Sequence, residues 1–374
     1  MAFTGTLNSN EIFSSLYNMI ISVQAFGDNI ARTNSTLADK FRVDGSLYGD
    51  QKLYVATDAL KSAPWGNDAE ATNLLAINRP KAPHVQAVEL DVFRQIALTV
   101  DEYLSKRAWG SEGAFSQFNN VLMGWIGDTK RVYDSTTVNA FVGTTETAVG
   151  AQSQNITIPE GATEEESNRL YAQTIATKMA DIMVELTDPS RDYNDLGFLR
   201  SYRPEDLIVV WNAEQYNKIR KTDMPTIFHK DGLFDKMDEV VLPAKYFGTV
   251  NTGIIKVTDP NVSIRALVEG DYSGSSELRH CFAGELCPAG HMPARKTYTE
   301  DNTIVCKIVH KNAIPYMSAF EVGTSFFNPK SLTTNHYLTF GHNTLEALKN
   351  YPLITLRAVE AAETETETTE TTEA

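Results

Sequence analysis

The sequence predicts an α+β fold. Helical periodicity fills two long segments, 111–141 and 163–187, while the second half is a series of short apolar runs separated by Gly, Pro, Asn and Asp. The two regimes meet at Leu207, where a continuous apolar run of the buried-strand kind leads directly into a helical pattern. A chain of 374 residues holds two to three compact units at roughly 150 residues each. Its 42% hydrophobic and 22% charged residues exclude a disordered, collagenous or coiled-coil body.

The elements follow in order. Ile12, Leu16, Ile20 and Val23 recur on one helical face within 8–26, so an amphipathic helix is expected there. Between Asn34 and Val100 the pattern is extended at its flanks, Lys52–Ala56 and Val85–Val100, and broken in the middle by Ala63-Pro64-Trp65-Gly66, Arg79-Pro80 and Ala82-Pro83. Two extended flanks around an irregular middle form a long hairpin-like excursion, and such a segment is usually a contact arm. Phe115, Phe118, Leu122, Trp125 and Val132 then mark a helix running to about Phe141, with Gly143 as its stop and Gly124 and Gly127 as points of bending or close contact. Thr144–Gln154 reads as a linker. Thr163 and Glu166 have capping-box spacing, and Leu170, Ile175, Met179, Ile182, Met183 and Leu186 follow at helical intervals until Pro189. Leu207–Trp211 is a strand and Ala213–Arg220 a helix. Further strands are expected at 239–242, 253–257, 264–268, 303–310, 336–340 and 353–357.

Charge and cysteine content narrow the function. Thirty-three basic residues against 48 acidic ones leave a net charge of −15, which disfavours diffuse attraction to nucleic acid or to an anionic membrane. Six of those excess charges are glutamates of the closing stretch, Glu360, Glu363, Glu365, Glu367, Glu370 and Glu373, which has no aromatic residue and reads as a disordered acidic tail. Three cysteines argue against a disulfide framework and for a reducing compartment. No basic residue precedes the first apolar stretch, so no secretory signal is expected, and 12–26 is too short and too polar to span a bilayer.

Chemistry-bearing patterns are sparse. His280, Cys281, Cys287 and His291 are the best zinc candidates, although Cys-x5-Cys departs from the tight zinc knuckles and small buried strand residues would explain both thiols. Asp188, Asp192 and Asp195 lack the glycine hinge and distal glutamate of a calcium loop. No nucleophile elbow, zinc-protease pair or phosphate-cradling glycine loop occurs, so neither a catalytic group nor a cofactor is expected. Phe93-Arg94 and Tyr103–Trp109 interleave aromatic and basic residues at the return of the excursion, where a subunit contact is a better reading than a nucleic-acid patch.

The order of segments resembles the major capsid proteins of tailed bacteriophages, which share the HK97-like fold. The resemblance rests on GSLYGDQKLYVATDALKSAPWGNDAEATNLLAINRP, similar in style and place to an E-loop, on VELDVFRQIALTVDEYLSKRAW as its return, and on GAFSQFNNVLMGWIGDTKRVYD as a spine helix. It implies an N-terminal arm at 1–35, an E-loop region at 36–100 and a peripheral domain with the spine helix at 101–145. An axial domain at 146–295, returning strands at 296–358 and the tail at 359–374 complete it. The implied function is mechanical: pentamers and hexamers of this chain close an icosahedral shell around double-stranded DNA, with portal, scaffold or decoration proteins as partners and no membrane. Assembly in the bacterial cytoplasm and residence in the virion follow. Lys52, Tyr54, Trp65, Arg94, Trp109 and Trp125 are the candidate subunit contacts. An encapsulin-like nanocompartment, another phage structural protein such as a tail-tube subunit or adhesin, and a zinc-dependent enzyme built on the Cys/His cluster are the alternatives.

Overall fold

The computed structural model describes residues 36–45, 51–62, 77, 79–101, 112–147, 149–159, 161–221, 237–251, 264–273, 278–287 and 297–360. The expected helix at 8–26, the strand at 253–257, Trp65, Trp109, His291 and the tail beyond 360 lie outside them.

The centre of the molecule is a five-stranded mixed sheet. It contains β4 (Ser153–Ile158), β5 (Leu207–Asn212), β6 (Asp238–Leu242), β13 (Ile304–His310) and β16 (Leu353–Glu360) in the order β4-β16-β13-β5-β6. β5 and β13 are buried along their whole length, which explains why the first reads as an unbroken apolar run. Leu207, Val209 and Trp211 face one side, and Ile208 and Val210 face the other. Each side needs its own cover. On the first lies α3 (Glu164–Thr187), which inserts Ala172, Ile175, Met179, Ile182, Met183 and Leu186. Burial of each large aliphatic side chain there stabilises the fold by about 1.5–3 kcal/mol. Thr163 caps α3 by accepting from Glu166 N at 3.3 Å, and three glutamates in its first turn complement the helix dipole.

The second side is covered by the C-terminal part of α2 (Glu112–Thr144), through Val138, Ala140 and Val142, and by the short α1 (Leu37–Lys40) with Phe41. Gly143 does not stop α2 as the sequence suggests. It lies within the helix, and a Cβ on it would fall 1.9 Å from the Tyr246 carbonyl oxygen, so glycine is required for backbone approach rather than for termination. Gly124 and Gly127 have nothing this close. The segment read as a linker ends by entering β4 at Ser153, and β16 continues through Val359 and Glu360, paired with Thr157 and Ile158, two residues past the expected start of the tail.

A second five-stranded sheet forms the arm. Its order is β1-β14-β15-β3-β2, from β1 (Arg42–Asp44), β2 (Gln51–Ala56), β3 (His84–Val100), β14 (Tyr316–Asn328) and β15 (Thr333–Asn343). β3 spans 17 residues, about 55 Å, and serves two partners in succession: β2 along His84–Glu89 and β15 along Leu90–Val100. Between β6 and β13 the chain adds a small β-unit of β7 (Gly248–Asn251), β8 (Ile264–Ala266), β9 (Gly270–Ser273), β10 (Leu278–Cys281), β11 (Leu286–Cys287) and β12 (Thr297–Glu300). Among the described residues its own core consists of Ala266, Tyr272, Cys281 and Cys287. α4 (Ala213–Lys221) follows β5, with Asn212 Oδ1 accepting from Glu214 N.

One charge lies inside the central sheet. Lys307 of β13 is fully buried, and its ammonium donates to the Thr145 carbonyl at the C-terminal end of α2 at 2.8 Å, where the dipole favours a cation. Burial pulls it down to about 7, against the nearby Glu146 carboxylate, which favours the charged form.

Two predictions follow from this packing. Gly143→Ala forces Tyr246 and α2 apart and destabilises the fold by about 3 kcal/mol, read as a lowered urea midpoint. For Lys307, the unfolded chain holds a proton between about pH 7 and 10.5 that the folded chain has released, so stability rises with pH across that window by about 1 kcal/mol per unit. Lys307→Met flattens that rise; urea midpoints at pH 7 and 9 that still differ by the wild-type amount would refute the assignment.

Candidate subunit interface

The arm is held to the body by polar contacts. On α2, Asp134 accepts from Lys130 Nζ at 2.9 Å and from the Tyr316 hydroxyl of β14 at 2.6 Å, with Arg42 3.6 Å away. One residue earlier, the Tyr133 hydroxyl lies 2.6 Å from His342 Nε2 on β15. His342 Nδ1 is 2.8 Å from the Asn343 carbonyl, which can only accept, so Nδ1 carries the hydrogen and Nε2 accepts from Tyr133. Burial lowers the His342 pKa, in keeping with this neutral ring. Asn343 completes the joint by accepting from Met317 N and donating to the Pro315 carbonyl. Apolar packing accompanies these bonds: Tyr316 belongs to the body cluster with Phe41 and Val138, Phe340 of β15 meets the Tyr133 ring edge-on at 5.5 Å, and Leu90 and Met317 form a separate small cluster.

A second joint fixes the root of the excursion. Asp58, just past β2, has a side chain only 3% exposed and accepts from Arg191 Nη1 at 2.9 Å, Lys81 Nζ at 3.1 Å, Leu199 N at 3.1 Å and Ala59 N at 2.8 Å. Arg200 adds a bond to the Thr57 carbonyl. Those donors, Arg191 foremost, hold the Asp58 carboxyl far below the usual carboxylate range. Both strands of the excursion and the 190–200 loop therefore converge on one carboxylate.

Beyond these joints the arm presents uncovered apolar surface. Cross-strand register places Leu53 opposite Ala87 and Val55 opposite Val85 on one face, and Leu53, Val55 and Val85 are 61%, 61% and 50% exposed. The other face of the ribbon, with Tyr54, Ala56 and Gln86, turns toward Leu348 and Tyr351 and encloses a small cleft of about 70 Å³. At the far end of β14 and β15, Phe326 and Phe327 are also exposed. Contiguous apolar surface of this kind on an extension marks an interaction site.

The candidates from the sequence fall into different settings. Lys52 and Tyr54 are on the half-buried face of the ribbon, and Lys52 Nζ donates to the Asp44 carbonyl. Arg94 on β3 pairs with Glu269 of the small β-unit at 3.0 Å and lies 4.9 Å over the Tyr133 ring. Trp125 is 41% exposed on α2. Cys281 and Cys287 are both buried with their sulfurs 3.4 Å apart, whereas the ring of His280 turns away to Asp271 and Glu269, each at 2.9 Å. Among the described residues no group of three or more His, Cys, Asp or Glu side chains is placed to hold a metal ion. No helix among them is long and apolar enough to cross a membrane.

Comparison with known proteins gives this architecture its context. A sequence model of the Phi29-like phage major capsid protein family matches residues 4–347. The chain belongs to that family. As a Phi29-like phage major capsid protein it is a head-shell protein of the phage virion, and the arm described above is part of a shell subunit. Its fold is similar to that of a chain in the capsid structure of Staphylococcus phage Andhra, at 9% identity and a TM-score of 0.58, covering 96% of this chain and 94% of that one. It is similar at the same TM-score, with 10% identity, to a chain of the native bacteriophage P68 structure described as head fiber and inner core protein gp22, covering 85% of this chain and 83% of that one. No curated protein matches the major capsid protein in sequence.

The Asp58 joint carries its own test. Asp58→Asn removes the charge that gathers Arg191 and Lys81, and amide exchange of residues 57–62 and 197–200 rises several-fold at pH 7 while the strands β5 and β13 stay protected. Unchanged exchange in both segments would show that the carboxylate does not hold the excursion.

Proposed function

We propose that this major capsid protein has the HK97-like arrangement and assembles through its arm into pentamers and hexamers of an icosahedral head. The carrying observation is the ribbon of β2 and β3, a two-stranded arm whose Leu53–Val55–Val85 face the subunit leaves bare. A two-stranded ribbon with one wet apolar face is marginal alone and gains from a neighbour that dries it. In this reading residues 36–100 form the E-loop region, α2 is the spine helix of the peripheral domain, and the central sheet with α3 and the small β-unit makes the axial domain. Strands β13 to β16 return through both, 1–35 is the N-terminal arm, and 359–374 the acidic tail, with Val359 and Glu360 paired at its root.

Lys52, Tyr54, Arg94 and Trp125, together with Trp65 and Trp109, are proposed as further subunit contacts. Contacts that repeat by rotation close rings of copies. The enclosed cargo is double-stranded DNA held without sequence readout, in keeping with the acidic charge of −15. Assembly takes place in the host cytoplasm, with portal, scaffold or decoration proteins as heterologous partners. No catalytic role is assigned to any residue.

Val55→Asp places a charge in the middle of the bare face without touching the body. The variant folds with wild-type circular dichroism and thermal midpoint but yields at least tenfold fewer capsomers and shells by negative-stain microscopy and sedimentation. Shells formed at wild-type yield would remove the ribbon face from the interface.

A further inference from the structure

The small β-unit has little core of its own. Among the described residues that core comprises Ala266, Tyr272, Cys281 and Cys287, and two of the four are thiols. Cys281 ends β10, in the two-stranded sheet with β9, whereas Cys287 ends β11, in the four-stranded sheet β11-β8-β12-β7. The turn between them is closed by Glu285, which donates from its backbone to the Phe282 carbonyl at 3.0 Å and accepts from Phe282 N at 3.0 Å. That turn brings the sulfurs to 3.4 Å. Disulfide length is about 2.05 Å, so a small rotation about the two χ1 angles closes the gap. The surroundings include Ala266 and Tyr272, and the imidazole of His280 is engaged by Asp271 and Glu269, so among the described residues no further ligand is placed to complete a metal site with the pair.

We propose that Cys281 and Cys287 form an intrachain disulfide that staples the two sheets of the small β-unit once the protein leaves a reducing environment. A head-shell protein that assembles in cytoplasm and then persists outside the cell crosses that boundary; this timing rests on the cytoplasmic assembly proposed above, while the pairing itself does not. The oxidant is a low-molecular-weight disulfide. The thiolate of one cysteine attacks a sulfur of that disulfide, forming a mixed disulfide and releasing one small thiolate. The second cysteine then displaces the other small thiol, forming the Cys281–Cys287 bond. Two electrons and two protons pass from the pair to the oxidant, which departs as two thiols. Burial pushes the Cys287 thiol up to about 12, so the reaction proceeds through brief opening of the 282–285 turn and is slow. Cys306, fully buried in β13 within the core under α3, takes no part.

The test uses the full-length chain, both unassembled and as shells, purified with reductant and then held in excess glutathione disulfide. Free thiols are alkylated under denaturing conditions, and trypsin releases 280–295, which contains both cysteines. The expected product is that peptide two hydrogens lighter than its reduced form, unalkylated, in most chains, with Cys306 alkylated throughout. Limited proteolysis at 282–285 then slows at least fivefold on oxidation, a change absent from the Cys281→Ser/Cys287→Ser double variant. Complete alkylation of both cysteines after prolonged oxidation would overturn the proposal, as would a bond to Cys306 or a second chain, or stoichiometric zinc protecting the pair. Because the mass readout needs no assembly, a chain that makes no shells yet forms the bond would count against the assembly reading alone.

Discussion

Everything in this subunit depends on drying both faces of one sheet. β5 and β13 carry apolar side chains on each side, so a single covering layer would leave half of them in water. α3 covers one face and the C-terminal part of α2 the other. That requirement fixes α2 in place, down to the contact of Gly143 with Tyr246. Once α2 is fixed, Tyr133 and Asp134 on its next turn are fixed too, and these two residues receive β15 and β14 through His342 and Tyr316. The core thus reaches the arm through α2, and the Asp58 joint and the Gln86–Ala347 bond add further points of attachment.

The two halves are held by different forces. The body is packed mainly by apolar side chains on the two faces of its sheet, whereas the arm adds to the packing of Tyr316 and Phe340 a set of hydrogen bonds and ion pairs at the α2 joint, at Asp58 and at the Arg94–Glu269 pair. Polar joints involve few groups and can exchange partners for water when they move, while a packed interior tolerates little displacement. In the assembly proposed above, such a division suits a subunit that keeps one shape in its body yet meets neighbours at more than one angle.

Legibility in the sequence follows the same division. α3 was readable because its cap, its acidic first turn and its apolar spacing agree, and β5 because full burial writes a continuous apolar run. β14 was not, since it carries Val322, Phe326 and Phe327 exposed on both faces and so shows no period of two. Of the small β-unit only β8 was foreseen, within 264–268; the others escaped because strands of two to four residues leave little periodic trace. Among the contact candidates, Lys52 and Tyr54 lie on the half-buried face of β2. Leu53, Val55 and Val85 turn outward because Gln86 bonds the Ala347 carbonyl 261 positions away, and no local pattern encodes that. Asp58 is equally silent in sequence, its importance created by Arg191 and Leu199 arriving from a distant loop. Cys281 and Cys287 were visible as a pair, but only the turn at Glu285 shows that their sulfurs meet while the ring of His280 turns to Asp271 and Glu269.

The position of β16 sets the timetable of folding. β13 pairs on one side with β5 and on the other with β16, and β16 in turn holds β4, so that Arg357 bonds Ser153 across 204 positions of chain. On the ribosome, β4, α3 and β5 emerge long before the strands that join them, and the sheet stays open until residues 353–360 have been synthesised. A nascent chain therefore has no finished body to which its arm can be fixed.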